Sequence, residues 1–352
     1  MPRLTLRHIA QDLGVSTATV SLAMRGSTRI SRATRERVAA ALKESGYVYQ
    51  RSAAGLRTAK THTVGVILNN VSDPFFSTLL ASLEEALAKA GQTVFLCNSN
   101  ETVSRQADFL RAMVEYNADG VIISPAIGSI PGDFLLPKIE LPPLVFISRA
   151  MSGLECDSVV NDDRQAVTLA MDRLLSLGHR RIALVGGDPS VSCFGVRLAA
   201  YKDALREASI EFDEALVLPG VPTRPVGFEA ARRVAALVPR PTAALGYNDS
   251  VTLGLFSGLQ RQGLFPGRTF ALIGNEDIEE AGLTNPAISS TIVPRDEMGM
   301  KAASVLLERL ENPDMPRRHL VLNSGLRVRE TCAVSGDGSP PAGQHPSPSS
   351  RS

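Results

Sequence analysis

The chain has 352 residues, 44% of them hydrophobic and 21% charged, which is the balance of a globular protein rather than of a disordered or coiled-coil one. No apolar run approaches the roughly 20 residues that a membrane helix needs. The net charge of +1 hides an asymmetry, because residues 1–60 hold eleven Lys and Arg against three acidic residues, so the remainder is acidic by seven. A basic head on an acidic body is the electrostatic footprint of a nucleic-acid-binding module joined to something else.

In chain order, Leu6, Ile9, Ala10 and Leu13 repeat at helical spacing after Thr5, a capping residue. Gly14 closes that helix, and Ser16 caps a second whose Val20 and Ala23 face inward. Two helices joined by a short Gly-containing turn define a helix-turn-helix. Its second helix would present Thr17, Ala18, Ser21 and Leu22 to base edges in the major groove. Ser31 opens a third helix with Val38, Ala41 and Leu42 as its core stripe.

From His62 onward, apolar strands alternate with amphipathic helices in two series. VGVIL, TVFLC, GVIIS and PLVFI form the first; RIALVGG, TAALGY and FALIG form the second. This alternation predicts parallel sheets with helices on both faces, and ligands of such sheets bind at the carboxyl ends of the strands. The strand-end loops nominate Asn69, Asn70, Asp73, Phe75, Phe76, Ser148, Arg149, Arg197, Tyr247, Asn248, Asp249, Asn275 and Glu276. Asn, Asp and Arg are suited to several hydrogen bonds with a polyhydroxylated or anionic molecule. Asp249 is expected to cap the helix that follows it, and His179 to serve a turn.

The run TLRHIAQDLGVSTATVSLAMRGSTRIS and then TRERVAAALKESGY resembles the DNA-binding domain of the LacI/GalR family of bacterial transcription regulators. The likeness continues in order through LRTAKTHTVGVILNNVSDPFF, DGVIISP, LGHRRIALVGG, YNDSVTLGL and VPRDEMGMKAASVLLERL, to about Val334. It implies an all-α helix-turn-helix domain (1–48), a hinge (49–61) and an α/β core (62–334) of two doubly wound parallel-sheet lobes, like the periplasmic binding proteins. The first lobe is expected at about 62–161 plus 293–320 and the second at about 162–290 plus 321–334. Residues 335–352, rich in Pro, Ser and Gly, are expected to be a disordered tail.

The same resemblance implies a dimeric, ligand-responsive regulator, a repressor, on a palindromic double-stranded operator. Its DNA-binding set is Thr5, Leu6, Ser16, Thr17, Ala18, Thr19, Ser21, Leu22, Arg25 and Arg29, with Arg51, Ala53 and Leu56 in the hinge. Thr17 and Ala18 match the positions that choose the operator, and Leu56 the leucine that two subunits wedge into the minor groove. Leu22 stands where the family usually has an arginine. Tyr49 and Gln50 replace the usual Pro and Asn, and Gly55 sits where a basic residue is common, so a less stable hinge helix is expected.

For the effector, the resemblance selects Asn69, Phe75, Phe76, Ser148, Arg149, Arg197, Asn248 and Glu276. Glu276 stands where Asp is common, Ser148 where an acid often follows the strand, and Pro222 where an aromatic is usual. The expected effector is a sugar, a sugar derivative or another small polar metabolite, and Arg149, Arg197 and Arg224 leave an acidic ligand open. Leu79, Leu80 and Leu83 are expected to supply part of the dimer contact.

No cofactor or metal is expected: Cys97, Cys156, Cys193 and Cys332 lie far apart with no C-x-x-C pair, and the five histidines enter no recognisable motif. With neither G-x-x-x-x-G-K-[ST] nor G-x-G-x-x-G after a strand, an enzyme is not expected. The alternative is a solute-binding protein with the same core. It would have no use for the basic head, and the opening MPRLTLRHIAQDLG carries charge where a signal peptide needs its apolar stretch. A cytoplasmic protein without membrane contact is therefore expected.

Overall fold

The computed structural model describes residues 5–24, 27–45, 60–135 and 139–332. They fall into two compact units that divide between Thr61 and His62. Arg25, Arg51, Ala53 and Leu56, most of the expected hinge and the expected tail lie outside the described residues.

The first unit holds α1 (Leu6–Leu13), α2 (Thr17–Met24) and α3 (Arg32–Ser45). Thr5 precedes α1 in an extended conformation, and its N–H donates to His8 Nδ1 at 3.1 Å. Gly14 ends α1 with φ of 64°, a left-handed conformation that glycine adopts without steric cost. Ser16 caps α2 by accepting from Thr19 N–H at 3.0 Å, and Ser31 caps α3 by accepting from Thr34 N–H at 3.2 Å. Ile9, Ala10, Val20, Ala23 and Val38 form the buried core, with Leu6, Ala41 and Leu42 packed around it. That core is small, so the caps and the bond from Arg37 Nη2 to the Leu13 carbonyl (3.2 Å) matter to a unit of this size.

The second unit is built on two sheets of six strands. The first comprises β1 (Thr63–Leu68), β2 (Thr93–Asn98), β3 (Gly120–Ile123), β4 (Leu144–Ile147), β5 (Asp157–Asn161) and β11 (His319–Leu322), all parallel, in the order β11-β5-β4-β3-β1-β2. Side chains alternate between its faces. Val64, Val66, Ile122, Val145 and Ile147 pack with α4 (Pro74–Lys89) and α11 (Arg295–Glu311), whereas Ile67, Val121, Ile123 and Phe146 pack with α5 (Val103–Glu115).

The second sheet comprises β6 (Ile182–Val185), β7 (Val217–Leu218), β8 (Ala243–Gly246), β9 (Ala271–Glu276), β10 (Ser289–Ile292) and β12 (Gly325–Arg327), in the order β12-β10-β9-β8-β6-β7, with β12 antiparallel to β10. One face is covered by α6 (Asp163–Ser176) and α7 (Ser192–Glu207), the other by α8 (Arg224–Ala236) and α9 (Asp249–Arg261), and the short α10 (Glu279–Leu283) follows β9. Helices α8 and α9 approach closely because Gly227 and Gly254 face each other's helix. A Cβ on Gly254 would lie 1.9 Å from the Arg224 carbonyl oxygen, and one on Gly227 2.0 Å from that of Val251. The chain crosses between the sheets three times, after β5, after β10 and after β11. It leaves the first sheet for the last time after Leu322, against the boundary of about 320 read from the sequence.

One sequence expectation is overturned here. Leu79 and Leu83 are fully buried in the first-lobe core with Phe75, Phe76 and Leu87, so they offer no surface to a second subunit. Residues 75, 79, 83 and 87 recur every four positions on α4, and this stripe is the one turned to the sheet. Leu80 lies at its margin, partly buried against the same core.

Candidate functional site

In the head, the turn of Gly14, Val15 and Ser16 sets α2 against α1 while leaving the start of α2 uncovered. Thr17 and Ala18 are exposed, and Thr19, Ser21 and Leu22 are partly so. Arg29 is exposed in the turn before α3, its N–H donating to Ser27 Oγ at 3.3 Å. Thr5 is exposed at the head of α1, and Leu6 packs against the core. Val20 and Ala23 anchor the inner side of α2, so its outer side is turned away from the core of the head.

The candidate ligand site lies where the carboxyl ends of the two sheets meet. On the first-lobe side, Asn69 is fully buried at the end of β1, its Nδ2 donating to Glu101 Oε2 at 2.8 Å and to the Pro125 carbonyl at 2.9 Å. Arg149 forms a two-point ion pair with Glu101, at 2.8 and 3.0 Å, and also donates to the Pro125 carbonyl. Ser148, immediately before it, has φ of 66°, a left-handed geometry that turns the chain sharply off β4 and aims Arg149 back across the strand ends. Burial disfavours the charged guanidinium of Arg149, but the bonds and charge of Glu101 outweigh that and keep it firmly protonated.

On the second-lobe side, Arg197 of α7 donates twice to Asp163 Oδ1, at 2.8 and 3.0 Å, and once to the Tyr247 carbonyl. Its guanidinium carbon stands 4.3 Å from the centre of the Tyr247 ring. Tyr247 fits there because its neighbour is glycine: a Cβ on Gly187 would lie 2.4 Å from the Tyr247 ring. Burial pushes the Tyr247 hydroxyl well above its ordinary pKa despite Arg197, and the hydroxyl pairs with Cys193 Sγ at 2.9 Å. Asn275 donates to the Tyr247 carbonyl at 3.2 Å and accepts from Thr291. Behind Arg197 the packing leaves a void of about 10 Å³, about one water.

Several contacts join the lobes, among them the following. Ser250 Oγ donates to Asp73 Oδ2 at 2.9 Å, Ser192 Oγ donates to the Ala150 carbonyl at 3.1 Å, and Ile127 packs against Cys193, Phe194 and Tyr247. Asp73 also caps α4, its Oδ1 accepting from Phe75 N–H at 2.9 Å. Phe75 and Phe76 themselves are buried in the first-lobe core, in an edge-to-face pair with centroids 5.0 Å apart. Asn248 caps α9 by accepting from Val251 N–H at 2.9 Å. The cap expected of Asp249 therefore belongs to Asn248, because the extended backbone that a cap requires occurs at Asn248. Asp249 is fully buried and accepts instead from Ile278 N–H (2.9 Å) and Ser290 Oγ (2.8 Å). Burial pushes its carboxyl up to about 6.

Glu276 ends β9 with φ of 116° and is 9% exposed. Burial, then the charges of Asp73 and Asp249, push its carboxyl well above the ordinary range, against the weaker pull of Arg197 and Arg295. Its Oε2 is buried without a hydrogen-bond partner. The sequence reading missed Glu101, Asp163, Cys193 and Ser250. Arg224 lies apart from this site, in an exposed ion pair with Glu280 at 3.1 Å. His179 is buried, with Nδ1 2.9 Å from Thr242 Oγ1. Among the described residues, no cluster of His, Cys, Asp and Glu could hold a metal, and no helix is long and apolar enough to cross a membrane.

A helix-turn-helix head joined to a two-sheet core with residues gathered at the strand ends defines the class of ligand-responsive DNA-binding regulators. The sequence profile of the periplasmic binding proteins and sugar-binding domain of the LacI family matches residues 61–322, and that of the lacI family of bacterial regulatory proteins matches residues 5–50. The chain belongs to the LacI family of transcriptional regulators. It is 28% identical to the HTH-type transcriptional repressor PurR of Vibrio atlanticus (strain LGP32) over 327 residues, 93% of this chain and 98% of that one. It is 29% identical to the maltose regulon regulatory protein MalI of Escherichia coli (strain K12) over 333 residues, 92% and 97% of the two chains. Among solved structures, the transcriptional regulator CelR in complex with cellobiose is 29% identical with a TM-score of 0.70, covering 94% of this chain and all (100%) of that one. The lac repressor dimer bound to operator and the anti-inducer ONPF shares the fold, with a TM-score of 0.82 at 22% identity over 94% and 99% of the two chains. The protein is thus a sequence-specific, ligand-responsive transcriptional regulator.

Proposed function

We propose that this regulator is a cytoplasmic repressor that binds a palindromic operator as a homodimer, with no catalytic step, and that a small polar molecule between the lobes controls its affinity. The observation that carries the DNA-binding half is the second helix of the head, anchored inside by Val20 and Ala23 with Thr17 and Ala18 left exposed at its start. Ser16, Thr17, Ala18, Thr19, Ser21 and Leu22 would meet the major groove, with Thr5, Leu6, Arg25 and Arg29 beside them. Arg51, Ala53 and Leu56 would serve at the operator centre. A second copy would dock on the first lobe through edge strand β2, where Phe95 and Leu96 are exposed beside Tyr116.

The effector would engage Asn69, Ser148, Arg149, Arg197, Asn248 and Glu276, with Phe75 and Phe76 supporting the strand ends from the core. Binding there shifts the balance between closed and parted lobes, and the coupling to DNA is about 1–3 kcal/mol and reciprocal. In vitro selection from a random DNA pool tests the reading: an enriched palindrome is expected. A non-palindromic motif would overturn the dimer-on-operator arrangement. Deletion of residues 1–60 should abolish DNA binding while sparing ligand binding.

A further inference from the structure

The charges at the strand ends do not balance. Asp73 comes from the first lobe, Asp249 and Glu276 from the second, and Asp73 and Asp249 each raise the cost of charging Glu276. Among the described residues, none of the three enters an ion pair. Of the cations nearby, Arg149 is neutralised by Glu101 and Arg197 by Asp163, so Arg295, which donates to the Asp277 carbonyl at 3.0 Å, is left to oppose three carboxyls. Asp249 has its two hydrogen bonds and Asp73 has its two. Glu276 Oε2 has none, although the residue is nine-tenths buried.

The first lobe shows the same imbalance independently. Asn69 is fully buried, and while its Nδ2 is doubly bonded its Oδ1 has no partner; Asn98 Oδ1, at the end of β2, is also unpartnered. Ser124 Oγ, at the end of β3, is a buried hydroxyl without a partner. The unpartnered donor at a strand end is Asn161 Nδ2, and it stands at the crossover where Asn161 Oδ1 accepts from Ser324. Buried polar atoms without partners are costly, so the unmet demand in the cleft is for hydrogen-bond donors, and a positive charge beside Glu276 would offset the cost of ionising it. A carboxylate or phosphate would bring acceptors to acceptors and a negative charge to a surplus of negative charge.

We propose that the effector is a hydroxylated amine, held with its ammonium against the unpartnered oxygen of Glu276 and its hydroxyls toward Asn69 and Ser124, and that acidic analogues are rejected. This rests on the reading that the effector binds between the lobes, and it narrows the sugar-or-metabolite class to members that carry a protonated amine. An acidic ligand, which the arginines left open at first, is disfavoured because two of those arginines are neutralised by carboxylates and Arg224 is elsewhere.

The test is calorimetric titration of the full chain with matched sets that differ in one group: glucosamine, glucose and glucuronate, and galactosamine, galactose and galacturonate. An amine should bind roughly ten- to a hundredfold more tightly than its neutral counterpart, the gain expected of a charge-assisted bond, with the acid weakest. Glu276→Gln should remove that advantage. Burial and the charges of Asp73 and Asp249 favour the protonated form of Glu276, against the weaker pull of Arg197 and Arg295, and an ammonium would tip it toward the carboxylate. The measured enthalpy should therefore vary with the ionisation enthalpy of the buffer as that proton is released, a readout that needs no variant. Tightest binding by a neutral or acidic member, or no amine binding, overturns the proposal. An acid that binds and is lost on Arg197→Lys would do so while leaving the cleft reading intact. Amine binding that survives both Glu276→Gln and Asn69→Ala would place the ligand elsewhere and overturn both.

Discussion

Asp73 accepts hydrogen bonds with both carboxylate oxygens, and the two donors belong to different lobes: Phe75 N–H of its own helix and Ser250 Oγ of α9, each 2.9 Å away. One side chain thus fixes the start of α4 and ties it to the start of the helix across the cleft. The second bond exists only while the lobes are together.

Ser250→Ala removes the interlobe bond and spares the cap. Equilibrium unfolding should show a loss of about 1 kcal/mol, the net value of one such bond. A double-mutant cycle with Asp73→Ala should return a coupling energy of similar size. A coupling of zero would mean that the bond is not made in solution. The variant should also shift the effector response, because parted lobes become easier to reach.

The buried pair of Arg309 and Asp157 should matter more. Arg309 donates to Asp157 at 2.9 and 3.1 Å and to the carbonyls of Pro313, Met315 and Pro316, so it fastens the turn after α11 to β5. Arg309→Ala should cost about 3–5 kcal/mol, since it strands a buried carboxylate. Burial alone would raise the Asp157 carboxyl, but the bonds from Arg309 and the Arg318 amide hold it below the ordinary range. A carboxyl depressed in the folded state stabilises the fold above its unfolded pKa, and that contribution is lost as pH falls through the folded value. The gap in melting temperature between wild type and Asp157→Asn should therefore narrow below about pH 4, as a thermal scan against pH would show.

Leu22→Arg should move base preference toward guanine at one position in each half of the operator. Leucine has no donor, whereas arginine bonds guanine O6 and N7 together, worth about 1–3 kcal/mol of discrimination. Selection of bound sequences with both proteins would check this, and an unchanged preference would mean that residue 22 does not face a base.

Gly254→Ala should destabilise the second lobe, since the new Cβ would lie 1.9 Å from the Arg224 carbonyl oxygen and 2.8 Å from Phe228 N. Forcing α8 and α9 apart should cost about 1–3 kcal/mol, read as a lower urea midpoint with an unchanged slope.

The short helices of the head were legible because their ends are written locally, in Thr5, Gly14, Ser16 and Ser31. The strand-end loops were legible from the alternation of apolar runs and turns. What the sequence did not disclose were the pairings across those loops. Arg149 and Glu101 are 48 residues apart and Arg197 and Asp163 are 34 apart. Each pair meets only through strand order or helix packing, which no local pattern encodes. The arginines therefore read as free cations when both are neutralised. The inward turn of Leu79 and Leu83 was missed for a different reason: α4 carries apolar residues beyond its buried stripe, so Leu80 and its neighbours read alike.

The three crossings between the sheets have a mechanical consequence. A lobe held by a single tether can rotate about any axis through it. Three strands of chain, two leaving the neighbouring strands β5 and β11 after Asn161 and Leu322 and one leaving β10 of the other sheet after Ile292, restrain twisting and sliding more than a single tether would, like a door hung on several hinges. Whatever binds between the lobes can then act on the rest of the chain through the angle between them. The ligand's chemistry decides whether that angle changes, and the backbone decides the direction.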